Sequence, residues 1–478
     1  MFFYMIQTLI EQLTELLGVV FQGTGKLFNI KFGSSDHDLT GQFLPETELL
    51  SKREKGFNLT GKRQLSVKLS YQNSLITGFS GVGKSTVILI PSILTMDSSF
   101  VINDPSGELH LKTSGFLSRR GYEVKILNYT KPEISVGFNI LARANSKADI
   151  SKVANTLVRA SLKGGKDNPF WNIQACSILV LLISMVKKMR PEHQHLANVR
   201  RMLQVMSGDP KKIDRLIVQY GDEALLDSYL SFVAMSPNTF TSISATALAA
   251  LNIFEDEQVA RVTSVDTLDM ESFRSRKVVL YVQAPTIDME YYAPLTSVLM
   301  EQMFGKIMSR IPDKKDENVF FLLDEAASLT MPSLCITISN IRKYRAGIML
   351  LYQDFNQVIQ NFGKNDAETI RSNSFAKLYF TGQSLETARA LETTLGKYNY
   401  DDENGIKRTR PLMTADEIRT MPIDKALLIC GHHRPIITDM IPYYKNRRLN
   451  AKTIYKPVVT TGEIPAEAVS FIPLKKVK

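Results

Sequence analysis

Between a short apolar pair, Leu75-Ile76, and a run from Thr86 to Leu94 that can continue as a helix lies the stretch Gly78-Phe79-Ser80-Gly81-Val82-Gly83-Lys84-Ser85. Glycine at these positions lets the backbone curl so that its N–H groups point inward, and the helix start adds the positive end of its dipole. Strand, glycine loop and helix in that order form a cradle for the phosphates of a nucleoside triphosphate. The expected contacts are Gly78, Ser80, Gly81, Val82, Gly83, Lys84, Ser85 and Thr86. Lys84 neutralises charge on the β- and γ-phosphates, and the Ser85 hydroxyl holds Mg2+. An ordinary glycine-rich turn would explain the loop but not its flanks.

A chain of 478 residues has room for two or three domains, and 44% hydrophobic with 22% charged residues is a globular composition. Cys176, Cys335 and Cys430 lie far apart with no CxxC pair among them, which suggests neither a zinc ribbon nor a disulfide framework and fits a reducing, cytosolic setting. A net charge of +10 permits contact with a polyanion. Part of the excess sits at the C-terminus, where Lys445, Arg447, Arg448, Lys452, Lys456, Lys475, Lys476 and Lys478 face only Glu463 and Glu467. A solvated basic end is the plain expectation there. At the other end, Phe2, Ile6, Leu9, Leu13, Leu16 and Val20 recur at helical spacing, while Gln7, Glu11, Gln12 and Glu15 break the run. An amphipathic helix is expected, rather than a spanning one.

From about Lys62 to Thr130 short apolar runs alternate with helical stretches: Leu65-Val67-Leu69, Ser74 to Thr77, Phe100 to Ile102 and Val124 to Leu127. This pattern predicts an α/β fold with a largely parallel sheet. Helical periods then take over between about Ser146 and Arg276, notably Trp171 to Met189 and Leu196 to Met206. Strand signals return at Val278 to Val282, Val319 to Leu323, Ile348 to Tyr352, Lys377 to Phe380 and Ala426 to Cys430. The expected organisation is an N-terminal helix over 1–31, a nucleotide-binding domain over 32–145 and 277–450, an all-α insertion over 146–276, and a basic tail over 451–478.

The run Val319-Phe320-Phe321-Leu322-Leu323 predicts a strand buried on both faces. At its carboxyl end Asp324 would reach Mg2+ and Glu325 would orient and deprotonate an attacking water. Gln353, after the next strand, is the candidate sensor of the γ-phosphate. Arg342, in Arg342-Lys343-Tyr344-Arg345, is a candidate to complete a neighbouring subunit's site. Asn103-Asp104-Pro105-Ser106-Gly107-Glu108 reads as a fixed turn at the sheet's carboxyl edge.

Several landmarks together resemble the type IV coupling proteins, the TraG/TraD-like ATPases of conjugation and type IV secretion. They are the phosphate loop, Ile90-Pro91-Ser92-Ile93-Leu94, Asp104 to Glu108, Asn168-Pro169-Phe170-Trp171, Leu323-Asp324-Glu325, Gln353 to Gln357, Leu412 to Ile418 and Pro442-Tyr443-Tyr444. The resemblance implies a RecA-like P-loop ATPase domain interrupted by an all-α domain, assembled as a homo-hexameric ring. It also implies that Arg342 acts across the subunit boundary. Two features depart from the family pattern: Ser106 stands where lysine is usual, and two membrane-spanning helices common at the start of many members are not seen.

The expected function is a Mg2+- and ATP-dependent motor that recruits and moves DNA, as a relaxase-bound single strand, and protein effectors to a secretion channel. Its expected partners are inner-membrane secretion components, with the protein cytoplasmic and held peripherally at the inner membrane. The alternatives are a platform that uses ATP only to assemble and dock clients, and a DNA pump of chromosome-segregation type.

Overall fold

In a computed structural model the described residues are 41–161, 169–207 and 209–473. The helix expected over 1–31, Asn168, and Lys475, Lys476 and Lys478 lie outside them.

The centre is a nine-stranded sheet. Its strands are β1 (Ser74–Thr77), β2 (Ser99–Asn103), β3 (Glu123–Asn128), β4 (Val278–Gln283), β5 (Val319–Leu323), β6 (Ala346–Tyr352) and β7 (Ala376–Phe380), with two more described below. Their order is β7-β1-β6-β5-β2-β4-β3, all parallel. Register puts Thr77 level with Tyr352, Leu350 level with Leu323, and Leu323 level with Asn103, so the carboxyl ends of four strands form one edge. The apolar run in β5 serves both faces. Val319, Phe321 and Leu323 join the core on one side, where Phe321 meets Phe304 edge-on at 4.8 Å. Phe320 and Leu322 join the other, where Phe320 packs against Phe57 and Tyr71.

The expected strand at Leu65-Val67-Leu69 is not formed: Val67–Ser70 is a helical turn. Ser66 accepts a hydrogen bond from Leu69 N–H, and this cap outcompetes the weak two-residue alternation. Conversely, β10 (Lys425–Cys430) and β11 (Ile436–Asp439) add an antiparallel margin next to β7. A separate compact unit contains the ribbon β8 (Lys397–Asp401) and β9 (Lys407–Pro411). Within that ribbon Asp402 N–H donates to Ile406 O, and Arg408 pairs with Asp402 at 2.6 Å.

The phosphate loop leads into α1 (Lys84–Thr95), whose first part is π-helical, and the acidic turn leads into α2 (Glu108–Arg119). Between β3 and β4 the described chain forms no strand. It holds α3 (Lys147–Ser161), α4 (Pro169–Val186), α5 (Leu196–Met206), α6 (Glu223–Val233) and α7 (Pro237–Leu251), among other helices. By length and composition α4 is the one helix among the described residues able to cross a membrane. Its Ile178, Leu179, Leu182, Ile183 and Val186 are fully buried, and it packs against α3, α5 and α7, as a core helix does. Buried side chains run without a break from these helices to one face of the sheet.

The C-terminal segment is docked on the fold, while Lys445, Arg447, Arg448 and Lys456 stay exposed as expected and Lys452 alone of the described basic residues named there is drawn in. Lys452 donates to Leu94 O, Tyr455 stacks with Phe116, His110 bonds Val458 O, and Gly462 N–H donates to Glu133 O. Farther on, Asn198 donates to Ser470 O and Ile472 is buried. The segment therefore straps the sheet layer at α1 and α2 to α5.

Asn73 fixes the start of β1. It holds a left-handed φ of 64°, which asparagine tolerates, accepts from Ile348 N–H of β6, and donates to Ile338 O and Asn373 O. Asn73→Ala removes three hydrogen bonds to backbone groups, two of them buried. Its expected cost is about 2–4 kcal/mol in denaturant unfolding; a loss below about 1 kcal/mol would show that these bonds do not anchor the strand.

Candidate nucleotide site

The loop after β1 curls through Gly81 at φ +84° and Gly83 at φ +101°. A Cβ on Gly81 would meet no other group, so the glycine is required by backbone conformation rather than by crowding. Gly78 N–H donates to Tyr352 O of β6, which ties the start of the loop to the neighbouring strand. Val82 points into the core and is 7% exposed, while Ser80 and Gly81 face solvent. The Thr86 hydroxyl donates to Gly83 O. Lys84 is buried, with Nζ donating to Gly78 O at 2.5 Å and to Phe79 O at 3.3 Å. Burial lowers its pKa, against the opposing pull of Glu325 and Asp324.

Asp324 enters the same cradle from β5. Its Oδ2 accepts from Ser85 Oγ at 3.3 Å, across 239 residues of sequence. Its carboxyl is enclosed by protein, and burial and then the neighbouring Glu325 raise its pKa to about 6, against Lys84 and Ser85. Glu325 adopts a left-handed conformation, φ 50° and ψ 47°, which costs about 1–2 kcal/mol for a side chain of this type. The turn sends its carboxylate toward β6, where Gln353 Nε2 donates to it at 3.4 Å. Gln353 is held in turn by Gln357, whose Oε1 accepts from its N–H.

Lys84, Ser85, Asp324, Glu325 and Gln353 thus meet at one sheet edge. Arg342 does not. It lies exposed in the turn Ile341–Tyr344, at the amino end of β6, with Gln353 at the opposite end. Seven residues of strand separate it from its own site by about 20 Å.

Two residues carry more of the site than their sequence context signals. Asn103, at the end of β2, donates to the main-chain oxygen of Asp324 at 2.6 Å. Asp104 is 1% exposed and accepts from Leu109 and His110 N–H, capping α2. Burial pushes its pKa up to about 7, in spite of those two hydrogen bonds. The acidic turn therefore holds the edge of the site rather than reaching into it, and Ser106 is bonded locally to Glu108 N–H.

The donor set suits Mg2+, since a hydroxyl and a carboxylate already face each other, and the cradle of N–H groups, glycines and one lysine suits phosphate.

A family described as type IV secretory system conjugative DNA transfer matches residues 42–465. The chain belongs to that family. Among its curated relatives, the probable conjugal transfer protein TraG of Sinorhizobium fredii is 23% identical over 409 residues, covering 79% of this chain and 63% of the relative. The type IV secretion system-coupling protein VirD4 of Bartonella henselae is 20% identical, covering 81% of this chain and 66% of the relative. The chain spans about three fifths of the length of the first relatives it matches. Among solved structures, the bacterial conjugative coupling protein TrwBdeltaN70 aligns with TM-score 0.68 and 17% identity, over 84% of this chain and 93% of that one. TrwB in complex with ADP and Mg2+ aligns with TM-score 0.66 and 16% identity, over 84% and 94%. The fold of this family member is accordingly TrwB-like and RecA-like, an α/β architecture on a mostly parallel sheet.

The Asp324 carboxyl has an ordinary pKa of 3.8 and is raised to about 6 in the fold. Between these values the folded chain keeps a proton that the unfolded chain has released. The stability this group contributes is therefore full below its ordinary pKa and lost as pH rises through about 6. Asp324→Asn should gain stability relative to the unsubstituted protein over that rise, while Mg2+-dependent nucleotide binding to the unsubstituted protein should weaken as pH falls below about 6. Unfolding midpoints and binding isotherms at stepped pH read both; a difference flat with pH would contradict the raised pKa.

Proposed function

We propose that this chain is an ATP-dependent coupling-protein motor that recruits DNA, and protein effectors with it, and moves them to a type IV secretion channel. The observation that carries the reading is the Ser85–Asp324 contact at 3.3 Å, beside the Glu325–Gln353 contact at 3.4 Å. Residues remote in sequence are gathered where a terminal phosphoryl group would lie.

Each side chain has a task set by its place. Lys84 exchanges the carbonyls of Gly78 and Phe79 for phosphate oxygens, a swap favoured by the stronger negative charge. Ser85 and Asp324 would hold Mg2+, which supplies charge neutralisation at the phosphates when bound. Glu325 orients a water and takes its proton. Gln353 bridges from β6 to Glu325, so a change in the γ-phosphate region is passed to α8 (Phe355–Ser372) through Gln357. Arg342, too far from its own site, serves the neighbour in a homo-hexameric ring. In this reading the protein is cytoplasmic and reaches the inner membrane through secretion partners.

The platform reading has one observation in its favour. A cleft of about 1630 Å³ is lined by α3, α4 and α6 together with Thr330, Met331 and Asp366, and it is large enough to seat a client segment.

Lys84→Ala should abolish nucleotide binding. Glu325→Gln should keep binding and lower ATP turnover by about 10²–10⁴-fold, with loss of DNA transfer. Turnover retained in Glu325→Gln would overturn its assignment as base. Transfer retained without turnover would move the function to the platform.

A further inference from the structure

In the basic run at 342–345, only part of the charge faces solvent. Arg345 turns inward: it holds φ 49°, and its guanidinium donates to Asn318 Oδ1, Asp313 O and Asp316 O. Lys343 lies over the Tyr344 ring. Arg342 remains exposed, and among the described residues it forms no ion pair. Its direction is set by the tight turn that follows, closed by Arg345 N–H onto Arg342 O at 3.1 Å.

That turn rests on a second arginine from another part of the chain. Arg274, in the helical turn Ser272–Ser275 before β4, is 5% exposed. Its NH1 donates to Glu317 O at 2.9 Å and to Arg345 O at 3.5 Å. Its NH2 donates to Ile307 O at 3.4 Å and to Tyr344 O. Every one of these acceptors is a main-chain carbonyl, and no carboxylate pairs with the guanidinium among the described residues. Burying a charge on carbonyls, with the Asp316 carboxylate nearby but not paired with it, is a costly way to close a loop, and an uncharged side chain would fill the space more cheaply. What the planar fork provides is a fixed spacing among four carbonyls from three segments, and two of the four, those of Tyr344 and Arg345, close the turn carrying Arg342.

We propose that Arg274 is a positioning residue for Arg342, holding the Ile341–Tyr344 turn so that the Arg342 guanidinium is presented to the nucleotide site of the adjacent subunit. The proposal rests on the reading of Arg342 as acting between subunits. Arg274 itself touches no substrate. Its loss leaves the subunit's own phosphate loop, Asp324 and Glu325 intact and spoils only what that subunit offers its neighbour.

This asymmetry gives a test that a purely structural role would not pass. Arg274→Met, and Arg274→Lys as the variant that keeps charge without the fork, should lower ATP turnover by about 10²-fold, the size of effect expected for a group misplaced by an ångström, with KM for ATP changed by less than about 3-fold. The double variant Arg274→Met/Arg342→Ala should be no slower than Arg342→Ala alone. Mixed with Lys84→Ala subunits, which have a dead site but an intact Arg342, each Arg274 variant should recover activity above the sum of the separate preparations. If Arg342→Ala recovers on mixing with Lys84→Ala while neither Arg274 variant does, the positioning role is overturned and the role of Arg342 stands. If no mixture recovers, action between subunits fails and the proposal with it.

Discussion

The strand that sits between β1 and β5 governs the site. Because β6 intervenes, the phosphate loop and the acid pair stand two strand spacings apart, about 10 Å, rather than side by side. That gap is wide enough for phosphates and a metal, yet narrow enough for Ser85 and Asp324 to meet across it. It also gives the tip of β6 no choice of neighbourhood: Gln353 must lie between the loop and Glu325. The left-handed Glu325 and the Asn103 bond to the Asp324 carbonyl then set the height of the two acids above the sheet.

The sequence is most readable where one physical requirement dominates. Five apolar residues before Asp324 can only be a strand covered on both sides, and β5 divides them between two cores. The phosphate loop is legible for the same reason, since Gly81 and Gly83 answer to a backbone constraint. Legibility fails where local signals compete or are weak. Leu65-Val67-Leu69 alternates like a strand, but Ser66 caps a helical turn. β8 and β9 are built from charged and polar residues that carry no burial pattern. Asp104 and Arg274 look like ordinary solvated charges in a linear reading. Asp104 leaves water by capping α2 five and six residues on, and Arg274 by long-range packing onto the turn after Arg342.

The helical layer and the strap extend the reach of the site. α2 begins at the capped acidic turn, and its His110 bonds the strap at Val458. The same strap continues to Ser470, where Asn198 at the head of α5 holds it. A rearrangement at the edge of β2 therefore has a covalent and hydrogen-bonded route into the helices between β3 and β4, and the cleft along α3 and α4 lies within that layer.

The sheet order has a consequence for how the chain is made. β1, the strand that bears the phosphate loop, pairs only with β6 and β7, whose residues follow it by roughly 270 to 300 positions. In a growing chain both sides of that strand stay open until β6 (Ala346–Tyr352) is made, and one side until β7 (Ala376–Phe380) follows. Local helices can form early, but loop-closure entropy delays the central ladder to the end. Closure of the sheet around the phosphate loop is thus a late step in folding, and the open edges of β1 before it favour aggregation.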